Sequence, residues 1–454
     1  EGSIGGAFGW LGRHVGTRPK QIIFACFVLT AIMGVGYISW EPETRGEELW
    51  VPQGTEAEEE TDMYEEYYNS KDRIETMIVQ ASPSASSTNV LTKDMLLVAM
   101  EMHTEIATRE SEFEGETNTL PNLCVKAGGT CANKESPNAV CGCLINSILK
   151  QWNYDLATLQ SDDDVLTTIN NYGSREDLEA ITGLPVFDDN DQLVSAQAFT
   201  LSYFLEGMPV VTNGREEDPV NEQWEEDVFL SVAESVPEDY QPLSVDYFST
   251  RSFQDEFGNE INSDLFLTQI AYVVAFLFLA ANIGKIKCGT GSRWTMAFAA
   301  LVTVGISTAA GFGLSSLFGL FFGPVHSLLP FLLLGIGVDD VFVIVNAFNR
   351  ERKGTRASED NDTLAERSSR AMARAGASIT VTSATDLVAF AISSSSSLPA
   401  LASFCAYAAI SIFFLWFFSA TFFSSTMVLD ERRQRDNRRE CLCCVTRKNP
   451  LKED

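Results

Sequence analysis

Two adjacent carboxylic acids, Asp339 and Asp340, lie in the middle of an apolar run from Val325 to Phe348. A run of that length crosses a bilayer as a helix. An ionised Asp at the centre of such a helix costs about 2.5–3.5 kcal/mol on insertion scales, so acids there usually bind protons or cations during transport. The plainer alternative is a packing pair that neighbouring helices satisfy. We predict an ion-coupling site for a proton or a monovalent cation.

Three further residues belong to this prediction. Asp386 lies in a later apolar segment among Ser and Thr residues, and we expect it either to partner the acid pair or to be a locally satisfied packing residue. Gly335 lies four residues before Asp339, on the same helical face. Because glycine allows a neighbouring helix to approach closely, Gly335 and Gly337 are predicted to pack helices at the coupling site.

No pattern in the chain indicates an enzyme. Its three histidines are widely separated in the sequence, and the motifs GxSxG, HExxH and the phosphate-binding loop are absent from it. We therefore expect no catalytic residues, no metal and no cofactor. Without a nucleotide-binding loop, any coupled transport must draw on an ion gradient.

Six apolar runs are long enough to span a membrane, which predicts a polytopic α-helical membrane protein. The runs are Gln21–Trp40, Leu265–Ile283, Trp294–Leu320, Val325–Phe348, Ala377–Ser393 and Pro399–Leu429. The first run has no small-residue cleavage motif after it and is predicted to be a signal anchor. The segment before it, residues 1–20, is predicted to be a cytoplasmic interfacial helix, although its glycines favour a frayed linker equally. Since the sequence begins with Glu1, we expect it to be a fragment.

The charges divide between two parts of the chain. The chain carries a net charge of −30, whereas residues 41–263 alone carry −35 and the remainder +5. Every basic cluster falls on one side of a six-span arrangement, so the positive-inside rule predicts that both termini are cytoplasmic and that residues 41–263 are extracytoplasmic. Such an acidic domain excludes ordinary nucleic-acid binding. Its charge serves either solubility or the attraction of cations to a transport mouth.

Alternating strand and helix patterns in residues 41–263 predict an α+β, ferredoxin-like domain with insertions. The predicted elements are strands at Arg73–Gln80, Ser195–Leu205 and Leu243–Ser249, and helices at Lys93–Thr108, Leu144–Leu159 and Asn221–Ser235.

Cysteines cluster at two places. One stretch of twenty residues inside the acidic domain contains four cysteines: Cys124, Cys131, Cys141 and Cys143. Their clustering predicts two disulfides in an oxidising compartment. A bond between Cys141 and Cys143 would close a strained ring, so each is expected to pair with one of the other two; a zinc site is the alternative. The basic tail, residues 431–454, contains cysteines that suit either palmitoylation or a plain stop-transfer tail: Cys441, Cys443 and Cys444.

Several motifs together resemble the eukaryotic Patched and Niemann–Pick C family of the resistance–nodulation–division permeases. Leu329–Phe342 resembles its fourth-span signature, Gly376–Asp386 with Phe390 its fifth span, and Pro399–Cys405 its sixth. The outer cysteines and Asn437–Cys441 are similar to further family segments. The resemblance implies that residues 264–430 form a five-helix sterol-sensing domain. It also implies that the chain is one six-span half of a twelve-span permease and partners a second repeat on the same or another chain.

The resemblance and the acid pair together predict ion-gradient-coupled transport of sterol or another lipid, in the plasma membrane or an endomembrane. An apolar face above the acid pair is the expected lipid contact: Pro330, Phe331 and Leu334. The alternative is a sterol-sensing receptor or escort protein that binds sterol without transporting it. A small-molecule efflux pump of the same superfamily fits the outer cysteines and the basic tail less well.

Overall fold

The computed structural model describes residues 3–43, 45–68, 72–85, 87–126, 142–171, 173–212, 215–284, 292–354, 363–436 and 438. The chain divides into two compact units. We call residues 1–58 with 256–454 the membrane unit, and from here on the name acidic domain refers to the compact unit of residues 59–255, which lies within the acidic stretch 41–263.

Helices dominate the membrane unit, and both helices and strands build the acidic domain. The α-helices are α1 (Ser3–Thr17), α2 (Pro19–Gly34), α3 (Gly46–Trp50), α4 (Glu56–Tyr68), α5 (Lys93–Thr108), α6 (Leu120–Leu123), α7 (Leu156–Ser161), α8 (Val165–Asn170), α9 (Arg175–Ile181), α10 (Pro219–Trp224), α11 (Ser231–Asp239), α12 (Ser252–Ile283), α13 (Trp294–Leu317), α14 (Leu329–Gly354), α15 (Leu364–Ser393), α16 (Pro399–Phe418) and α17 (Ser424–Arg435). Short 3₁₀ helices lie at Val35–Ser39, Ile148–Trp152 and Pro324–Leu328, and π-helical turns at Glu225–Leu230 and Ser419–Phe423. The strands are β1 (Arg73–Ala81), β2 (Ser111–Phe113), β3 (Glu116–Asn118), β4 (Ile145–Asn146), β5 (Thr182–Gly183), β6 (Val186–Phe187), β7 (Leu193–Ser195), β8 (Ala198–Leu205), β9 (Val210–Thr212), β10 (Arg215–Glu217) and β11 (Leu243–Phe248).

Within the described residues, six helical segments are long and apolar enough to cross a membrane. They are Pro19–Ser39, Phe266–Ile283, Trp294–Leu317, Pro324–Glu351, Leu364–Ser393 and Pro399–Arg435. All six predicted runs therefore have a helical counterpart. The fifth is much longer than the apolar run Ala377–Ser393, because α15 continues towards its N-terminus through a stretch that includes arginines and begins at the capping residue Thr363.

The N-terminal segment forms the helix α1, and its glycines lie where α1 packs against α15. A Cβ atom on Gly12 would lie 2.5 Å from the Ser368 carbonyl oxygen, and one on Gly16 would lie 2.5 Å from the Cα atom of Ala365. The two helices α1 and α15 thus approach each other closely, as small residues permit. Phe8 of α1 is buried against Gly376 of α15. Of the two alternatives for this segment, the helix is the one that forms.

The acidic domain is built on a wholly antiparallel sheet. Its strands follow the order β11–β1–β8–β4, with β5 also paired to β8. Alternate residues of β1, such as Met77 and Val79, face a buried apolar core, to which α5 and the helical stretch from α10 to α11 also contribute. The period-two pattern of the long strands is the physical reason that the sequence predicts them well.

Most predicted elements of this domain are present with small shifts at their ends. The helix Lys93–Thr108 begins and ends where it was predicted. The predicted helix Leu144–Leu159 is wrong: the chain there forms the short strand β4, a 3₁₀ turn and the start of α7. Asn153 adopts a left-handed conformation with φ 50° and ends the 3₁₀ turn, which breaks the helical run that the apolar spacing suggests.

Candidate functional site

Helices α14 and α15 of the membrane unit together supply a cluster of three acids. Asp340 of α14 is 3% exposed, whereas Asp339 is exposed and Asp386 of α15 is half-buried. The Ser383 hydroxyl lies within hydrogen-bonding reach of the Asp340 carboxyl, and the charges of Asp339 and Asp386 act on it. The structure therefore brings together the three acids that the sequence singles out and adds a serine that it does not.

A cavity of about 510 Å³ adjoins these acids. Its walls come from α14 and α15: Gly335, Ile336, Val338, Asp339, Asp340, Phe342, Thr382 and Asp386. Three carboxyl groups and one threonine line a space that is otherwise apolar. Such a space is large enough for water and can hold a proton or a small cation between the acids.

The Asp340 carboxyl is incompletely satisfied. Its Oδ2 atom has no hydrogen-bond partner among the described residues, and no Lys or Arg in that part of the chain forms a salt bridge with it. A buried ionised carboxylate without a cation partner is costly, so such a group binds a proton or a cation readily. The arrangement supports reversible ion binding.

The two glycines before the acids behave differently. A Cβ atom on Gly337 would lie 2.9 Å from Val304 Cγ2 and 3.1 Å from Leu415 Cδ1, so α13 and α16 pack closely there. A Cβ atom on Gly335 would meet nothing within 4 Å in the part of the chain that the structure describes. The structure thus differs from the prediction at Gly335, because this residue faces the cavity and not a helix.

The predicted lipid-contact residues do not form one open surface. Phe331 is 55% exposed, whereas Leu334 is 4% exposed and packs inside the bundle with Val304 and Leu415. Pro330 is half-buried, and its carbonyl oxygen accepts a hydrogen bond of 3.0 Å from the Tyr272 hydroxyl. Of these three residues, only Phe331 is freely accessible in this conformation.

A second buried acid in the membrane unit has opposite surroundings. Asp430 of α17 is 4% exposed, yet its Oδ2 atom lies 3.0 Å from Arg293 Nε and its Oδ1 atom 2.7 Å from Arg433 Nη2. Arg293 also donates a 2.9 Å hydrogen bond to Asn349 Oδ1 at the end of α14. The cluster ties the start of α13 to the ends of α14 and α17. Sequence analysis missed it, because basic residues at span ends are expected for topology alone.

Two of the four cysteines between positions 124 and 143 are described, and they form a disulfide. Cys124 and Cys143 are bonded, with their Cα atoms 5.4 Å apart. The other two, Cys131 and Cys141, lie outside the described residues, as do the candidate palmitoylation sites Cys441, Cys443 and Cys444. Among described residues there is no group of three or more His, Cys, Asp or Glu side chains that could hold a metal.

The six apolar helices indicate a multi-pass membrane protein, and comparison with known proteins shows what this chain is similar to. Residues 290–447 match the family model "Sterol-sensing domain of SREBP cleavage-activation". Over most of its length, the chain is similar to proteins named NPC intracellular cholesterol transporter 1 and protein patched homolog 1.

Three curated relatives illustrate the relationship. NPC intracellular cholesterol transporter 1 of Sus scrofa is 24% identical over 94% of this chain and 36% of its own length. NPC intracellular cholesterol transporter 1 homolog 1b of Drosophila melanogaster is 24% identical over 96% and 36%. Protein patched homolog 1 of Danio rerio is 22% identical over 96% and 43%. The chain thus spans between about a third and somewhat under half of the relatives' length.

Proposed function

We propose that this chain belongs to a permease that moves sterol or another lipid by using an ion gradient, with Asp339, Asp340 and Asp386 as the coupling site. The observation that carries the proposal is the buried Asp340 carboxyl, which lacks a basic partner among the described residues and borders a cavity with two other acids. A relative named as a cholesterol transporter supports the lipid substrate.

An ion binding site of this kind couples transport by favouring one conformation of the bundle. A proton or monovalent cation at Asp340 neutralises a charge that the helices otherwise have to accommodate in a low-dielectric interior. Helix arrangements that differ in how they surround the acid therefore differ in ion affinity. A gradient that loads the site on one side of the membrane biases the exchange between those arrangements.

The wider architecture that we infer follows the family. Both termini and the basic tail are cytoplasmic, residues 41–263 are extracytoplasmic, and a second six-span repeat completes the permease. We also infer that the acidic domain is a ferredoxin-like variant. Its four main strands, taken in chain order as β1, β4, β8 and β11, lie in the spatial order fourth, first, third, second, and the long helical stretches fall in the first and third connections.

The test is lipid movement by the full-length protein in sealed vesicles with an imposed proton or sodium gradient. Asn at both Asp339 and Asp340 keeps shape and hydrogen-bonding capacity but removes the titratable charge. We expect gradient-driven movement to fall to the level of protein-free vesicles. The matched control is Asp436→Asn, an acid of the same unit whose side chain is 58% exposed, and it should leave movement unchanged.

The competing function is a sterol sensor that binds without transport, which the description of the matched family favours. A sensor would bind sterol with the same affinity whether or not the acid pair is intact. If the double Asn variant keeps the full response to a collapsed gradient, the coupling role of the acid pair is wrong. If the wild-type protein binds sterol but shows no gradient-driven movement, and the double Asn variant binds sterol equally well, the sensor gains support.

A further inference from the structure

Two glutamates without exposed surface lie together in the acidic domain. Glu75 comes from β1, and Glu225 begins the π-helical turn that follows α10. A π-turn within a longer helical stretch often marks a functional position, because it shifts one side chain out of the regular helical register. Neither glutamate has any part in the ion-coupling site proposed above.

Both carboxyl groups bind the short segment that joins β11 to α12. Ser249 donates its hydroxyl to Glu225 Oε2 at 2.8 Å, and the Arg251 backbone N–H donates to the same oxygen at 3.1 Å. The Thr250 backbone N–H donates to Glu75 Oε1 at 3.4 Å. Three successive residues are thus held by two acids. The helix that follows them, α12, begins at Ser252, continues to Ile283 and contains the candidate span Phe266–Ile283.

The arginine nearest the pair forms an ion pair with Glu225 and not with Glu75. Arg73 forms a two-pronged ion pair with Glu225, through a short contact of Nε and a 3.0 Å bond from Nη2. Arg251 binds Glu226 at 2.9 Å and Asp255 at 2.6 Å. Glu75 has no ion pair with either arginine, and its Oε2 atom has no hydrogen-bond partner in the part of the chain that the structure describes.

Among the described residues, the other elements packed against Glu75 bring no salt-bridge partner to it. Its cross-strand neighbour on β8 is Tyr203, whose hydroxyl is 2.9 Å from His103 Nδ1 of α5. Burial lowers the His103 pKa to about 3 and raises the Tyr203 pKa, so both groups are neutral over the ordinary pH range. The titratable and charged groups that surround the pair are Arg73, His103, Tyr203, Asp218, Glu222, Glu226, Arg251 and Asp255.

The state of Glu75 therefore decides how much negative charge is buried beside the segment. Burial raises the pKa of Glu75 well above its usual value, and the negative charge of Glu225 raises it further. A protonated Glu75 lies beside a single carboxylate and can donate a hydrogen bond, as in carboxyl pairs that share one proton. An ionised Glu75 places two like charges in one buried site.

We propose that Glu75 and Glu225 form a proton-controlled clamp on residues 249–252, which holds the first turn of α12 firmly when Glu75 is protonated and loosens it when Glu75 is ionised. The clamp makes the start of a helix that includes a candidate membrane span responsive to the pH around the acidic domain. The clamp does not include the intramembrane acids, so an experiment can contradict the clamp without contradicting the proposed coupling site, and the reverse also holds.

The direction of the pH dependence follows from the raised pKa of Glu75. Burial is the largest cause of the raised pKa in the closed clamp, and an open clamp that admits water returns the pKa of Glu75 towards its usual value. The closed clamp therefore binds the proton more tightly than the open one. Closure is therefore fully favoured below the usual glutamate pKa, and the advantage disappears as the pH rises through the pKa of the clamped state. Acidification should tighten the start of α12.

Hydrogen–deuterium exchange of the full chain in lipid nanodiscs tests the clamp through the backbone N–H groups of Thr250 and Arg251. After correction for the intrinsic exchange rate, we expect the peptide over residues 249–255 to exchange at least about tenfold more slowly at about pH 5 than at about pH 8, since one pKa unit corresponds to a factor of ten. Unchanged protection of the wild-type peptide between these pH values would overturn the proposal by itself.

Two variants link the pH response to Glu75. Glu75→Gln imitates the protonated acid and should keep the peptide protected at both pH values. Ser249→Ala removes a hydroxyl that favours the ionised form of Glu75, so it should shift the midpoint to higher pH. The control Asp191→Asn neutralises an acid of the same domain whose side chain is 70% exposed and which is not among the groups around the pair, so it should leave the midpoint unchanged. A pH response that survives in Glu75→Gln, or an unmoved midpoint in Ser249→Ala, contradicts the clamp.

Discussion

Asp430 and Asp340 lie in the same helical unit and are almost equally buried, at 4% and 3% exposure, but their surroundings are opposite. Asp430 accepts from Arg293, Arg433 and Gln434. Asp340 has the Ser383 hydroxyl beside it and two further acids whose charges act on it. A buried acid that is compensated by arginines holds helices together. One that is left among other acids is held at a cost that only a function explains.

The largest expected effect concerns the compensated site. Arg293→Ala removes one partner of a buried pair and leaves Asp430 with less positive charge, so the free energy of unfolding should fall by about 3–5 kcal/mol. Thermal unfolding of the protein in detergent measures the change. The control is Arg438→Ala, because the ion pair of Arg438 with Asp436 is half-exposed and contributes no more than about 1 kcal/mol. Equal losses of unfolding free energy in the two variants would mean that Arg293 does not compensate Asp430, and the contrast between Asp430 and Asp340 would then be wrong.

A smaller effect is expected at a buried group that stays neutral. His103 is fully buried in the acidic domain, and its pKa is lowered from 6.5 to about 3. Its stabilising contribution is therefore complete above pH 6.5 and decreases as the pH falls towards about 3, by up to about 1.4 kcal/mol per pH unit.

His103→Gln should remove that acid sensitivity while a polar side chain remains beside Tyr203. Glu75 has a raised pKa, so its contribution to the free energy of unfolding decreases as the pH rises, which is opposite to that of His103. The quantity to compare is therefore the difference in unfolding free energy between wild type and His103→Gln at each pH. The difference should narrow as the pH falls. If it stays constant from about pH 6.5 to about pH 4, His103 is not the titrating group.

The smallest effect is expected at the hydroxyl beside Asp340. Ser383→Ala removes one neutral hydrogen bond, which contributes about 1 kcal/mol, so the ion concentration for half-maximal lipid movement should shift about fivefold. Ser378→Ala, an exposed serine on the same helix, is the matched control and should cause no shift. An unchanged midpoint in Ser383→Ala would mean that the serine does not contact the ion-binding carboxyl.

The features that sequence analysis predicted well are those that one stretch of chain encodes. Apolar run length predicts the spans, and helical periodicity predicts α5 with both ends correct. Two acids inside an apolar run identify the cavity-lining pair without any structure. In these cases the physical signal lies within a few helical turns of the residues that it concerns.

The features that it missed join distant residues. Arg293 and Asp430 meet only because α13 and α17 pack together, and each alone resembles an ordinary charge at a span end. Glu75 and Glu225 are two among many acids of an acidic domain, and nothing local distinguishes them. The glycines of α1 look like helix breakers until α15 is placed against them.

The central claim is that the Asp340 carboxyl exchanges an ion with the surrounding solution as lipid moves. Coupling free energy is reciprocal, so a lipid gradient across sealed vesicles should drive ions through the full-length protein. We predict lipid-driven proton or sodium flux for the wild type, and for Asp340→Asn the flux of protein-free vesicles, with the variant as stable to heat as the wild type. Full flux through Asp340→Asn would contradict the account.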